Sequence, residues 1–356
     1  MTSIPTETSI NNAWLTERLN EAGHEVQVTG FTAKRIGTGQ IGKCIRYELQ
    51  LTGKTDGVPA SLVGKFPSDD ETSRATGVML KNFIKEVSFY QQLQERLTIA
   101  TPKCYFAAIA GEGPDFALLL EDLSPAVQGD QLAGCSVDVA RAAILELVGL
   151  HAPSWNDETL RGKDWLGEPD ADSTELNRAL YQGNIDGFAE RYGPNLKADE
   201  LEIIRKVAGA APPTGETLPT PFSLVHIDYR LDNLLINQEI SPPKITAVDW
   251  QSISLGSPLA DVAYFLGAGL RSETRREAEE EIVRAYHASL LNTGIKDYGW
   301  EACWTDYRKG VFAGFFVTVI ASMIVESTER GDEMFLTMAR RHARHAIDLG
   351  SDEFLT

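Results

Sequence analysis

Four residues between positions 224 and 251 have the types and spacing to do chemistry together: His226, Asp228, Asn233 and Asp249. Two apolar runs, 234–236 and 245–248, read as short strands joined by a turn at Ser241, Pro242 and Pro243. Asp228 and Asn233 fall in the loop before the first run, and Asp249 closes the second. A hairpin brings Asn233 and Asp249 towards Asp228. Two carboxylates and an amide that serve no hydrophobic purpose suit a hard cation with oxygen ligands, with one carboxylate to spare as a base. The plain alternative is a turn rich in Asp and Asn that only caps strands.

Further features upstream bear on the choice. Gly37-Thr-Gly39-Gln-Ile-Gly42-Lys43-Cys44 is a glycine loop close to a Walker A sequence, but Cys44 stands where Ser or Thr would meet magnesium. A Walker loop opens a helix. Here residues 44–51 alternate like a strand, so the loop joins two strands. A flexible hairpin turn would also use glycines. Residues 61–66 form a third strand ending near Lys65. A lysine on an apolar strand needs a partner, or else marks a sheet edge. Residues 79–97 read as an amphipathic helix with Leu80, Phe83, Ile84, Val87, Tyr90 and Leu93 as its apolar stripe. Glu86 borders that stripe and can face Lys65.

Composition narrows the class. The chain has 356 residues, long for one core, so two domains are expected, divided here as 1–122 and 123–356. A net charge of −18 argues against nucleic acid or an anionic membrane as the main partner. Cys44, Cys104, Cys135 and Cys303 are far apart and read as reduced thiols in a reducing compartment, so a cytoplasmic protein is expected. The first twelve residues are polar, with no apolar signal region. The longest apolar run, 311–325, is short for a bilayer and reads as a buried core helix.

The remaining elements frame the site. Residues 11–22 read as a helix and 25–32 as a strand. Two more strands, 104–110 and 116–120, run into Glu121, Asp122 and Leu123. Ser136 is a good N-cap for a helix over 137–151. Within 156–218, helices are expected at 174–180, 184–192 and 199–207. A helix beginning near Pro258 carries Asp261 in its first turn, placed to brace the 226–233 loop by hydrogen bonds. Long helices are expected at 273–292, 300–325 and 333–349. His151, His342 and His345 read as packing or surface residues.

In this order the pieces resemble the aminoglycoside phosphotransferase and ecdysteroid-kinase-like group of small-molecule kinases. The likeness runs through Gly37 to Gly42, Lys65, Lys85-Glu86, Leu119 to Leu123, Leu150-His151-Ala152, His226 to Asn233, Val248 to Gln251 and Pro258 to Asp261. It implies an α+β, bilobal, protein-kinase-like fold: a small antiparallel sheet lobe with a helix, and a larger helical lobe. It implies ATP and Mg2+ as cofactors and a small-molecule hydroxyl as acceptor. Gly37, Gly39 and Gly42 would cover the phosphates, and Lys65 paired with Glu86 would position them. The backbone at Glu121 and Leu123 would meet adenine. Asn233 and Asp249 would hold the metal, and Asp228 would take the hydroxyl proton. His226 would hold the loop, and Arg230 would add charge near the transferring phosphate. Asp249 is followed by Trp-Gln rather than Phe-Gly, and only eight residues separate it from Pro258. That is too short for a peptide-holding activation loop. A pseudokinase that binds nucleotide or a partner is the rival reading.

Overall fold

The computed structural model describes residues 4–37, 41–210 and 218–355. Gly39 and the Pro212-Pro213 pair lie outside these. The chain forms two compact units. The first takes the chain up to Arg96, then Thr101–Pro125 and Val248–Ser252. The second takes Leu97–Ala100, Ala126–Ala247 and the chain from Ile253. The linear division at 122/123 therefore differs from the observed one. Residues 97–100 join the second unit, and the five residues after the 234–247 hairpin join the first. Their side chains pack there, as described below.

The first unit is built on an antiparallel sheet of five strands in the order β1-β2-β3-β5-β4. These are β1 (Glu25–Ile36), β2 (Gly42–Lys54), β3 (Ser61–Pro67), β4 (Cys104–Ile109) and β5 (Phe116–Glu121). Alternation of Val26, Val28, Ile45 and Tyr47 buries one face. Helix α1 (Asn12–Glu21), capped by Asn11, adds Leu15 and Leu19 to the same core.

The helix expected at 79–97 is different. Residues 71–79 form α2 (Glu71–Met79), and Lys81 turns left-handed at φ 57° before α3 (Asn82–Ser88) begins. A π turn, Phe89–Leu93, and a short 3-10 turn follow. The break has a packing reason. A Cβ on Gly77 would lie 2.4 Å from the Phe83 ring, so α2 closes down on α3 only through glycine. Leu80 consequently stands exposed instead of joining the stripe, while Phe83, Glu86, Val87, Tyr90 and Leu93 are buried.

The second unit is mainly helical. It contains β6 (Val127–Gln128), α4 (Val137–Glu146), α5 (Val148–His151), α6 (Ala171–Tyr192), α7 (Ala198–Gly209), β7 (Ser223–Val225), β8 (Leu234–Asn237), β9 (Lys244–Ala247) and β10 (Ser254–Gly256). Then come α8 (Pro258–Gly269), α9 (Ser272–Asn292), α10 (Trp300–Gly310), α11 (Ala313–Phe316), α12 (Ser322–Ile324) and α13 (Glu329–Asp348). Strands β8 and β9 form the expected hairpin, with Leu234 opposite Ala247. The helices expected at 174–180 and 184–192 are one helix. Asp170 caps it in a reciprocal box with Ser173, and the glycines within it do not break it. The segment 300–325 is not one regular helix. It loosens into a π turn at Val317–Ala321, where Thr318 donates to the carbonyl of Gly314. By length and composition 300–324 is the one helical run among the described residues apolar enough to cross a membrane, and half of its apolar window is buried.

Candidate active site

In the first unit the chemistry gathers around Lys65. Strand β3 pairs with β2 so that Lys65 lies opposite Cys44. Gly42 gives the lysine room: a Cβ there would sit 3.3 Å from Lys65 Cε. Lys65 Nζ donates to Glu86 Oε1 at 2.7 Å and to Asp249 Oδ1 at 3.0 Å. Lys65 and Glu86 are 8% and 1% exposed, whereas the Asp249 side chain is 40% exposed. The triad is thus a buried ion pair opening to solvent at one carboxylate. Burial works against the Lys65 charge and pushes the Glu86 carboxyl up. At Lys65 the two carboxylates outweigh burial and hold the ammonium above its usual range.

Asp249 comes two residues after β9 and takes a left-handed φ of 66°. Its neighbours fix it in place. Trp250 stacks on Phe89 with ring centroids 3.9 Å apart. Gln251 Nε2 donates to Glu86 Oε2 at 3.2 Å, and Asn82 Nδ2 donates to the Gln251 carbonyl at 3.1 Å. These contacts are why 248–252 belongs to the first unit. The glycine loop begins at Gly37, which is left-handed at φ 70°. Gly39 falls outside the described residues. Strand β2 starts at Gly42, and Lys43 is paired with Asp69 at 2.6 Å and Glu7 at 2.7 Å. No helix opens at Lys43, which removes the Walker reading. Burial pushes the Cys44 thiol up to about 11, so it packs as a neutral group. Glu121 ends β5, and Leu123 lies two residues on. Between them Asp122 accepts from Arg46 at 2.6 Å and Ser61 at 2.7 Å, pinning the backbone of this segment.

In the second unit the loop from His226 to Asn233 is built around Asp228. Asp228 Oδ1 accepts from Arg230 Nε and from the Tyr264 hydroxyl, each at 2.9 Å. Asp228 Oδ2 accepts from Asn233 Nδ2 at 2.8 Å. The loop is held from below. Buried Asp261, in the first turn of α8, accepts from the backbone N–H of His226 at 2.6 Å and of Ile227 at 2.9 Å. Ile227 is left-handed at φ 71°, a conformation a β-branched residue keeps only under such restraint. His226 is fully buried edge-on to Tyr229. The bracing expected of Asp261 is therefore present.

Arg230 is engaged more closely than its sequence position implies. Besides Asp228, it donates to Asp232 at 2.7 Å and meets the Met334 sulfur at 3.2 Å. Burial opposes its charge, and the carboxylates of Asp228 and Asp232 raise its pKa all the same. One participant, Tyr264, escaped sequence reasoning. Tyr264 lies three residues after Asp261 on α8, and helical spacing from Asp261 was the available signal. His151 is buried with Nδ1 2.7 Å from the Tyr286 hydroxyl and Nε2 3.5 Å from Asp261 Oδ2. It packs as expected, but against the brace of the loop.

A model of the ecdysteroid kinase-like family matches residues 39–297. No curated protein matches the chain. Solved structures share the fold at low identity. Choline kinase from Cryptosporidium parvum is 10% identical, with a TM-score of 0.56 over 98% of this chain and 92% of that one. The GDP complex of aminoglycoside 2'-phosphotransferase-IIIa is 15% identical, with a TM-score of 0.55 over 94% and 99%. A choline/ethanolamine kinase family protein from Mesorhizobium loti is 14% identical, with a TM-score of 0.50 over 94% and 98%. The small-molecule kinases of this group are protein-kinase-like, α+β and bilobal, as is this chain.

Proposed function

The chain belongs to the ecdysteroid kinase-like family, and from that membership and the geometry above we propose that it transfers the γ-phosphoryl group of ATP to a hydroxyl of a small molecule. The observation that carries the reading is the Lys65 triad. A buried ammonium tied to one buried carboxylate and one exposed carboxylate has no structural need of the second. A phosphate-positioning lysine beside a metal-binding Asp needs both. GDP in a structural neighbour supports a nucleotide as the ligand.

In this reading Lys65, oriented by Glu86, binds the phosphates, and the loop from Gly37 through Gly39 to Gly42 covers them. The backbone near Glu121 and Leu123 receives the base. Asn233 and Asp249 are the hard oxygen donors for Mg2+. Among the described residues no group of three or more His, Cys, Asp or Glu could hold a metal by itself. A two-ligand set suits magnesium that keeps its other positions for phosphate and water. When bound, the ion neutralises charge on the phosphates. Asp228 accepts the acceptor's proton, and His226 and Asp261 hold its loop. Arg230, tied to Asp228 and Asp232, orients the base. Catalysis is positioning and electrostatics, as phosphoryl transfer requires.

The test is an ATP-consumption screen against alcohols: amino-sugars, choline-like amino alcohols, sterols and antibiotics. Consumption that depends on one acceptor, with a phosphorylated product by mass, is the expected result. Nucleotide binding without turnover on any acceptor overturns the reading in favour of a pseudokinase.

A further inference from the structure

The Asp228 carboxylate is unevenly occupied. An ionised carboxylate offers about two acceptor positions on each oxygen. Oδ1 already receives two donors, the Tyr264 hydroxyl and Arg230 Nε, while Oδ2 receives Asn233 Nδ2. Tyr264 is itself immobilised. It is fully buried on α8, stacks on His342 with centroids 5.4 Å apart at 15°, and packs with Met338, Val317 and Met334. The His342 ring in turn fills space that only glycine leaves: a Cβ on Gly314 or Gly267 would lie 2.3 or 2.7 Å from it.

We infer that Tyr264 is a positioning residue for phosphoryl transfer: with Arg230 it saturates Oδ1 and so reserves Oδ2 of Asp228 for the acceptor hydroxyl. The inference rests on the kinase reading above. In the step it serves, the acceptor oxygen bonds to the γ-phosphorus as the bond to the ADP oxygen breaks. The acceptor O–H breaks, and its proton goes to Oδ2. Tyr264 keeps its own proton throughout. Burial, with the Asp228 carboxylate beside it, pushes the phenol well above its ordinary range, so it does not compete as a base.

The experiment is a double-mutant cycle of Tyr264→Phe with Asp228→Asn, read by single-turnover transfer from γ-labelled ATP to the alcohol most active in the screen. Phe keeps the stack on His342 and removes only the donor. Tyr264→Phe should lower kcat about 10–100-fold, the loss of one hydrogen bond to a charged group, with KM for ATP and acceptor within about threefold. In the Asp228→Asn background the same change should cost nothing further. Arg230→Met, which removes the other Oδ1 donor, should show the same signature, and it keeps the test alive if Tyr264→Phe folds poorly. Losses that multiply, an unimpaired Tyr264→Phe, or an Arg230→Met that mainly raises KM for ATP overturn the inference while leaving the kinase reading in place. A wild-type protein that phosphorylates no acceptor overturns both.

Discussion

Removing Glu86 takes one of two carboxylates away from the buried Lys65 ammonium. Lys65 Nζ lies 2.7 Å from Glu86 and 3.0 Å from Asp249, so by distance alone each carboxylate supplies close to half of the attraction. The desolvation of Lys65 is unchanged when Glu86 is neutralised. Orphaning one member of a buried pair costs about 3–5 kcal/mol. Since Asp249 stays, Glu86→Gln should fall near the bottom of that range, about 3 kcal/mol. Lys65→Met is worse placed, because it leaves Glu86 at 1% exposure without its cation. The double variant removes both charges and should be less destabilised than the sum of the two by at least about 1 kcal/mol. Urea unfolding of the four proteins, with Mg-ATP titrated against each, gives the cycle without needing an acceptor. Nucleotide affinity should drop in all three variants. Additive stability losses and additive losses of affinity would show that the two residues do not act as a pair, and the phosphate-positioning argument would fail with them.

Asp228→Asn should cut the single-turnover rate by about 10²–10⁴-fold while nucleotide affinity stays within a few-fold; loss of ATP binding instead would mean Asp228 is not the base. Asp249→Asn should abolish turnover and weaken Mg-ATP binding, and undiminished activity in excess chelator would remove the metal from the mechanism. Asp261→Ala strips the acceptors from the His226 and Ile227 N–H groups. It should cost about 2–3 kcal/mol in urea unfolding and lower kcat more than it changes KM for ATP, and a change in KM alone would contradict the bracing role. His342 is held neutral, its pKa pushed down to about 3 by burial, with His345 and nearby arginines adding to the effect. Its folded value lies below the unfolded one of about 6.5. The unfolded state therefore takes up the proton first, and stability is lost as pH falls from about 6.5 towards 3. His342→Leu should reduce proton uptake on unfolding at pH 5 by about one, measured from the pH dependence of urea midpoints; an unchanged slope would refute the assignment.

The elements that carry chemistry were legible because their signals are local. Alternation over 44–51 reads as a strand, which by itself argues against a Walker loop. A single apolar stripe placed Glu86 on the inner border of its helix, and the spacing from Asp228 to Asn233 and on to Asp249 marked the loop and hairpin. Family resemblance supplied the bilobal fold, which no local pattern dictates. What tertiary structure decided were features whose causes lie far along the chain. The helix expected at 79–97 is broken at left-handed Lys81, and Phe83 packs against Gly77 across the break. The 300–325 run opens at a π turn, and α6 continues through its glycines. Residues 248–252 leave their own hairpin for the first unit because Trp250 finds Phe89 and Gln251 finds Glu86. Arg230 reads in sequence as an auxiliary charge near the transferring phosphate, and its guanidinium is taken up by Asp228 and Asp232. Tyr264 carries no motif, and His151 reads only as a packing residue within the Leu150-His151-Ala152 likeness. They matter because α8 and α5 pack under one loop, so the Tyr264 hydroxyl reaches Asp228 and the His151 imidazole reaches Asp261. Periodicity reports which face of an element is buried. Which polar group meets which across that face depends on packing between segments distant in sequence, and no local spacing encodes it.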